Sequence, residues 1–276
     1  IMHKLLSGGL RVEYLNISIA NLPEELAGTT IVQLSDFHYD GKCLSEELLM
    51  QAIAASNQAG PDLVVLTGDY VTTVPEPIFD LVLHLQHLQS RCGIYAILGN
   101  HDVYYHRARR MIAQAMAHAN ITVLWNEVAY PLGRELALVG LADVRSKEFL
   151  PQPVMEAIDP DIPRIVLSHN PDTAAVLRQW RVDLQLSGHT HGGQVRIPGY
   201  GPLPKLLKAL HRRIHWRYHR VIPYVNKSRH VVRNWDWASG LHPVGDNWLY
   251  VNRGLGTYFP GRLFCPPEVT VIRLTR

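Results

Sequence analysis

Short apolar runs that end in a polar residue recur along the first 200 positions. Between them lie longer stretches with apolar residues every three or four positions. The first pattern predicts strands at 11–19, 30–35, 63–67, 94–98, 136–141, 164–168 and 183–187. Leu63-Val64-Val65-Leu66 and Ile165-Val166-Leu167 are unbroken apolar runs, as expected of strands covered on both faces. The second pattern predicts helices: Ile78, Leu81, Val82, Leu85 and Leu88 share one face, and Ala108, Met111, Ile112, Ala115 and Ala119 share another. Ser45 before Glu46 and Glu47 suits a helix start, Gly60-Pro61 a stop, and Asn170-Pro171 a cap with a first-turn proline. Beyond residue 190 the strand pattern continues at 193–197, 248–252 and 269–274, with fewer helices between. The reading is a layered α/β domain with packed sheets and helices outside. No internal repeat interrupts it.

The chemistry sits where the apolar runs stop. One run delivers Asp36, with His38 two positions on; the next delivers Asp69; a third delivers Asn100, His101 and Asp102; the last two deliver His169 and the pair His189 and His191. Ligands of α/β sheets gather beside the carboxyl ends of strands, so these groups are placed to converge in one crevice. The i, i+2 pairs Asp36/His38 and His189/His191 each put two side chains on one side of an extended segment. The other ten of the fifteen histidines, His84, His87 and His118 among them, read as core or surface residues.

Asp, His and Asn without thiolates suit borderline-to-hard divalent ions such as Mn²⁺, Zn²⁺ or Fe²⁺. Seven such groups (Asp36, His38, Asp69, Asn100, His169, His189 and His191) are too many for one tetrahedral metal with an open position. They suffice for two metals if a carboxylate bridges, and Asp69, alone at its strand end, is the natural bridge. Two divalent ions bring four positive charges. Two carboxylates and a bridging hydroxide remove three, leaving about one to attract a phosphate ester.

The ordered blocks Asp36-Phe37-His38, Gly68-Asp69, Gly99-Asn100-His101-Asp102, His169 and Gly188-His189-Thr190-His191 resemble the calcineurin-like metallophosphoesterases. The resemblance implies a four-layer αββα sandwich of two mixed sheets with outer helices and a dinuclear site at the strand-end loops. It implies that Asp36, His38, Asp69 and His191 hold one metal and that Asp69, Asn100, His169 and His189 hold the other, manganese first, zinc or iron otherwise. His101, oriented by Asp102, is implied to protonate the leaving oxygen or stabilise the transition state. Asn100 is also expected to touch substrate. The segments IVQLSDFH, LTGDYV, GNHDVYY, SHNPD, SGHTHGGQV and NRGLGT look like the membrane-associated bacterial phosphodiesterase branch. That branch is similar to enzymes that cleave UDP-2,3-diacylglucosamine in lipid A synthesis. Its members often carry an N-terminal membrane segment or signal, which this sequence does not display.

Composition then bounds the picture. The chain has 276 residues, 47% apolar and 18% charged, enough for a sizeable core and incompatible with disorder. Cys43, Cys92 and Cys265 are too few and too scattered for a disulfide framework. No apolar run approaches the ~18 residues of a membrane-spanning helix. The protein is therefore expected in the cytoplasm or peripheral at the cytoplasmic membrane; the sequence, which begins at Ile1, is silent on any anchor upstream.

The net charge of +3 is unevenly spread. Nine of the 27 basic residues and none of the 24 acidic ones fall within 203–235, so the rest of the chain is acidic. In that segment Leu203, Leu206, Leu207, Leu210, Ile214, Tyr218 and Val221 follow a helical stripe, and Trp216 and Tyr218 suit a headgroup layer. It reads as a basic amphipathic insertion in a single 1–276 domain. It lies either at an anionic bilayer or as a lid packed on the domain, with nucleic acid the disfavoured partner. Arg253, before a glycine turn, either grips a substrate phosphate or is simply exposed.

Taken together, these readings predict a dimetal phosphoesterase acting on a phosphodiester or pyrophosphate bond in a lipid-linked nucleotide such as UDP-2,3-diacylglucosamine. The competing reading is a nuclease or cyclic-nucleotide phosphodiesterase. A non-catalytic interaction module is argued against by the intact ligand set, and no protein partner is implied.

Overall fold

The computed structural model describes residues 8–105, 107–213, 231–259 and 261–276. Two six-stranded mixed sheets face one another. The first takes β1 (Arg11–Ser18), β2 (Thr30–Leu34), β3 (Leu63–Leu66), β4 (Ile94–Ala96) and β5 (Ile121–Val123). The second takes β6 (Glu127–Ala129), β7 (Ala137–Gly140), β8 (Arg164–Leu167) and β9 (Leu184–Ser187). After a two-residue hairpin, β10 (Arg196–Ile197) and β11 (Gly201–Pro202), the chain adds β12 (Gly240–Val244) and β13 (Asn247–Val251) to the second sheet. It closes with β14 (Glu268–Thr275) in the first. Strand orders are β1-β14-β2-β3-β4-β5 and β12-β13-β9-β8-β7-β6.

Strand alternation explains the layering. Ile31, Leu63 and Val65 point inward and meet Leu138, Ile165, Leu167, Leu184 and Leu186 of the other sheet in one buried cluster. Their neighbours Val32, Leu34, Val64 and Leu66 point outward against the helices α1 (Glu46–Gln58), α2 (Ile78–Leu85) and α3 (Ala108–His118). Val139, Val166 and Leu177 join a third cluster with Val154 and Met155, under α4 (Pro151–Glu156) and α5 (Ala174–Leu177). The result is helix, sheet, sheet, helix, the four-layer order expected. Burying each such leucine or isoleucine contributes about 1.5–3 kcal/mol, so the two inner faces make the dominant favourable term.

The anticipated boundaries are visible in hydrogen bonds. Ser45 Oγ accepts from the Leu48 N–H at 3.3 Å to cap α1, and Asn170 Oδ1 accepts from the Asp172 N–H at 2.9 Å ahead of Pro171's turn. One expected strand, 193–197, is largely absent. The chain there makes a tight turn over His191–Gly193, and Gly192, Gly193 and Gln194 all have positive φ, so the strand shrinks to Arg196 and Ile197, with Val195 making an isolated bridge to Leu263. At Gly192 a side chain would collide with Cys265 Sγ at 2.6 Å, so this position both permits the turn and seats it on β14's leading loop.

What matters for function is parallelism. β2, β3 and β4 run parallel, as do β8 and β9, with Leu34 beside Leu66 and Leu167 beside Leu186. Their carboxyl ends therefore open along one edge of the sandwich. Just beneath that edge Gln33 Nε2 donates to Thr67 Oγ1 and to the Ser187 carbonyl, both at 3.0 Å, locking the sheets together below the loops. A further helix, α6 (Leu203–Arg213), leaves β11. Ile214, Trp216, Tyr218 and Val221 of the expected stripe lie outside the described residues.

Candidate active site

The five strand-end loops converge. Asp36 Oδ1 lies 3.4 Å from His191 Nε2 and 3.9 Å from His38 Nε2, and the two imidazole nitrogens face each other at 3.1 Å. On the other side, His169 Nε2 lies 3.0 Å from Asp69 Oδ2 and 3.2 Å from His189 Nδ1. Asp69 Oδ2 also stands 3.6 Å from His38 Nε2. Two triads, Asp36/His38/His191 and Asp69/His169/His189, thus meet at Asp69, the position that the strand-end argument singled out as bridge.

The backbone is bent to achieve this. Asp36, His38, Asp69, His189 and His191 all have φ between 46° and 71°, the left-handed region that L-residues avoid. Such conformations persist only where surroundings over-determine them. Here Asp36 carboxylate oxygens accept the His189 N–H at 3.0 Å, and Asp69 Oδ1 accepts the His101 N–H at 2.9 Å. Glycine flanks admit the close approach: a Cβ at Gly254 would lie 2.5 Å from that of Asp36, and one at Gly99 would strike the Asp69 carboxylate.

Each imidazole's outward nitrogen is engaged. His169 Nδ1 reaches the Thr67 carbonyl at 2.7 Å, His191 Nδ1 the Gly256 carbonyl at 3.2 Å, and His189 Nε2 the Val231 carbonyl at 2.9 Å. His38 Nδ1 contacts Tyr258 Oη. A carbonyl only accepts, so the neutral forms of the first three rings turn an unprotonated nitrogen inward, the arrangement metal-ligating histidines use. The Asn100 side-chain oxygen is buried with no hydrogen-bond partner among the described residues and borders the same space. Nitrogen and oxygen donors converging without thiolates, plus one orphaned amide oxygen, fit hard-to-borderline divalent ions.

Burial drives the protonation states. It pushes Asp36 up to about 6, with Asp69 adding to the rise and His169 opposing it. Burial likewise depresses His38 and His189 to about 3 and holds His191 well below the usual imidazole range. His169 goes the other way. Burial opposes its charge, yet Asp69, by charge and hydrogen bond, overrides and raises it to about 10, and Asp69 is correspondingly held well below the carboxylate range.

A cavity of about 400 Å³ opens over the centre. Asp69, Asn100, His101, His189 and His191 form its polar floor, while Leu203 and Leu207 of α6 with Val231, Trp235 and Phe259 form an apolar wall. Of the apolar positions of α6 that the stripe identified, Leu203 and Leu207 therefore face the site, while Leu210 is exposed. Asp36, His38 and His169 lie behind the floor, each no more than 1% exposed.

Two expectations need correction. Asp102 does not orient the His101 ring. Its carboxylate accepts backbone N–H groups of Asp69, Tyr70 and Gly99 at 2.8 Å and of Val71 at 3.3 Å, so it holds the loops together. His101 Nδ1 is instead engaged by the Thr72 carbonyl at 2.5 Å. Arg253 does not reach the cavity. It pairs with Glu13 and Glu268, each at 2.7 Å, because the loop after β13 turns its side chain toward β1 and β14.

Other residues at the site escaped the sequence reading. Tyr258 stands against His38, its N–H held by Gln194 Oε1 at 2.7 Å. Arg145 lines the cavity. Arg262, 2% exposed, donates to the carbonyls of Arg253, Gly254 and Gly256 and clasps the loop against Asp36. Only Gln194, inside the glycine-rich string after His191, had a local signal.

The chain is similar to known proteins. The profile of the family described as calcineurin-like phosphoesterase matches residues 29–193. Over 273 residues the chain is 32% identical to phosphodiesterase YaeI of Escherichia coli, covering 95% of this chain and 88% of that protein. It is 29% identical to the uncharacterized metallophosphoesterase YkuE of Bacillus subtilis, over 92% of this chain and 81% of that one. It is 26% identical to UDP-2,3-diacylglucosamine pyrophosphatase LpxG of Chlamydia trachomatis, over 96% and 89%.

Proposed function

The chain belongs to the calcineurin-like phosphoesterase family and is a hydrolase of phosphoester bonds, and from that premise we propose that its substrate is a lipid-linked nucleotide of the UDP-2,3-diacylglucosamine kind. The observation that carries the proposal is the cavity's two-sided character, a floor of metal-type donors under an apolar wall. A nucleobase can stack on its aromatic members, Trp235 and Phe259, while acyl chains give its aliphatic members, Leu203, Leu207 and Val231, matching surface to cover. The name borne by the Chlamydia trachomatis relative supports the same class.

In this reading Asp36, His38, Asp69 and His191 hold one divalent ion and Asp69, Asn100, His169 and His189 the other, with manganese the first choice and zinc or iron the alternatives. When bound, the pair polarises phosphoryl oxygens and lowers the pKa of water. The protein's residues supply the rest. Asn100 turns its amide toward a phosphoryl oxygen and fixes the ester. His101, with a proton held on Nδ1 by the Thr72 carbonyl, is protonated on Nε2 when it acts and delivers that proton to the leaving oxygen. Leu203, Leu207 and Phe259 exclude water from the apolar side. The whole 1–276 chain acts as one domain, with 203–235 as a basic insertion that rests on an anionic bilayer. Among the described residues no helix is long and apolar enough to cross a membrane. The protein works in the cytoplasm or at the cytoplasmic membrane's surface.

The test is a Mn²⁺-supplemented panel of simple mono- and diesters, cyclic nucleotides, single-stranded DNA and UDP-2,3-diacylglucosamine. Release of UMP from the last, well above turnover of the others, is the expected result. Activity confined to DNA or cyclic nucleotides would instead establish the nuclease or cyclic-phosphodiesterase reading.

A further inference from the structure

The segment from Val231 to Ala238 walls the cavity and touches the candidate ligand loop twice. His189 Nε2 meets the Val231 carbonyl at 2.9 Å, and Thr190 Oγ1 donates to the Ala238 carbonyl at 2.5 Å. The strap is pinned from both sides. On the sandwich side, the Asp172 carboxylate accepts the N–H groups of Arg233 at 2.6 Å and Asn234 at 3.1 Å. On the other, Lys208 Nζ of α6 donates to the Arg233 carbonyl at 2.5 Å and Lys205 pairs with Asp236. The lysine ties are exposed and contribute little. Asp172 is better placed: a charged acceptor on two backbone donors, itself aimed by Asn170.

The strap decides which nitrogen of His189 faces inward. A neutral imidazole carries one N–H, and a carbonyl can only accept it. With Val231 in place the proton sits on Nε2, leaving the lone pair on Nδ1, the atom 3.2 Å from His169 Nε2 in the Asp69 triad. Without the strap the ring can rotate and take either tautomer. We infer that Asp172 is a positioning residue for this site: by pinning residues 233 and 234 it holds the Val231 carbonyl against His189 and so fixes the tautomer and orientation of that ligand. The inference rests on the proposal that Asp69, His169 and His189 hold a divalent ion. It also couples the apolar wall to the polar floor, since Val231 belongs to the wall and its carbonyl meets His189 of the floor.

The experiment uses the full chain stripped of metal and titrated with Mn²⁺ against a chromophoric chelator. ¹⁵N-histidine spectra are recorded in parallel to report tautomers. In Asp172→Ala, one of the two binding steps should weaken roughly 10–100-fold, the usual effect of losing an outer-sphere partner. The other step should stay within about two-fold, and the His189 signature should lose its single-tautomer character. Asp172→Asn, which keeps one acceptor oxygen, should fall between and carries the test if the alanine variant does not fold. Equal weakening of both steps, or none, with an unchanged His189 spectrum, overturns the inference while leaving the dinuclear reading intact. A wild-type chain that binds no Mn²⁺ overturns both.

Discussion

Shaving the apolar wall tests the substrate proposal most directly. Leu203 and Leu207 lie side by side on α6, both partly exposed toward the cavity. Truncating leucine to alanine removes three carbons, and a fully covered side chain of that size is worth about 2.4 kcal/mol at ~0.8 kcal/mol per carbon. Much of each leucine is already covered by protein, so a substrate tail gains roughly a third of that, about 0.8 kcal/mol per residue. The double variant Leu203→Ala/Leu207→Ala should therefore lose about 1.6 kcal/mol of transition-state binding, ~15-fold in kcat/KM for an acylated substrate. The comparison is bis(p-nitrophenyl) phosphate, which has no tail to cover. The assay is initial rates on both substrates in one micelle preparation, with thermal melts to confirm folding. A loss on the acylated substrate and none on the small diester is expected. Equal losses on both, or none on either, would refute the assignment of this wall to a lipid.

Two further outcomes follow from the loops. His101→Gln should lower kcat by about 10²–10⁴ with the melting temperature unchanged, whereas Asp102→Ala, which strands four backbone N–H groups, should cost about 3 kcal/mol of stability in a denaturant titration. Calorimetric metal titrations in buffers of differing ionisation heat should count the protons displaced from the ligand side chains, once the one that water gives up in becoming the bridging hydroxide is subtracted. His169, raised to about 10, is charged through neutral pH, while His38 and His189, lowered to about 3, are already neutral. Binding at pH 8 should therefore release about one proton, falling as pH passes 10. At pH 5 the count should rise to about two, because Asp36, raised to about 6, is also protonated. Release of about four at pH 5, as ordinary histidines would give, contradicts this electrostatic account.

Much of the frame was legible because its strands are apolar on both faces. Runs such as Leu63–Leu66 can sit only inside a covered sheet, and their carboxyl ends announced where Asp69 and its counterparts would gather. The short edge strands Ile121–Val123 and Glu127–Ala129 gave no such signal, being too brief for alternation to show. Roles set by three-dimensional neighbours were hidden for a different reason. Asp102 follows His101 in sequence, which suggests partnership, but the turn points its carboxylate back at the loop after β3. Arg253 stands at a strand end like the ligands, yet Glu13, 240 residues away in sequence, claims it. Tyr258 belongs to no periodic pattern and acquires meaning only against His38.

The left-handed backbone at five of the seven candidate ligands has a consequence for anyone seeking a hardier enzyme. At roughly 1–2 kcal/mol each, these turns together approach the net stability of an ordinary domain. Glycine at any one of them would relax the chain and delete a donor in the same exchange. Heat resistance and turnover therefore pull against each other at these positions, and gains in robustness have to come from the helices and the outer sheet edges instead.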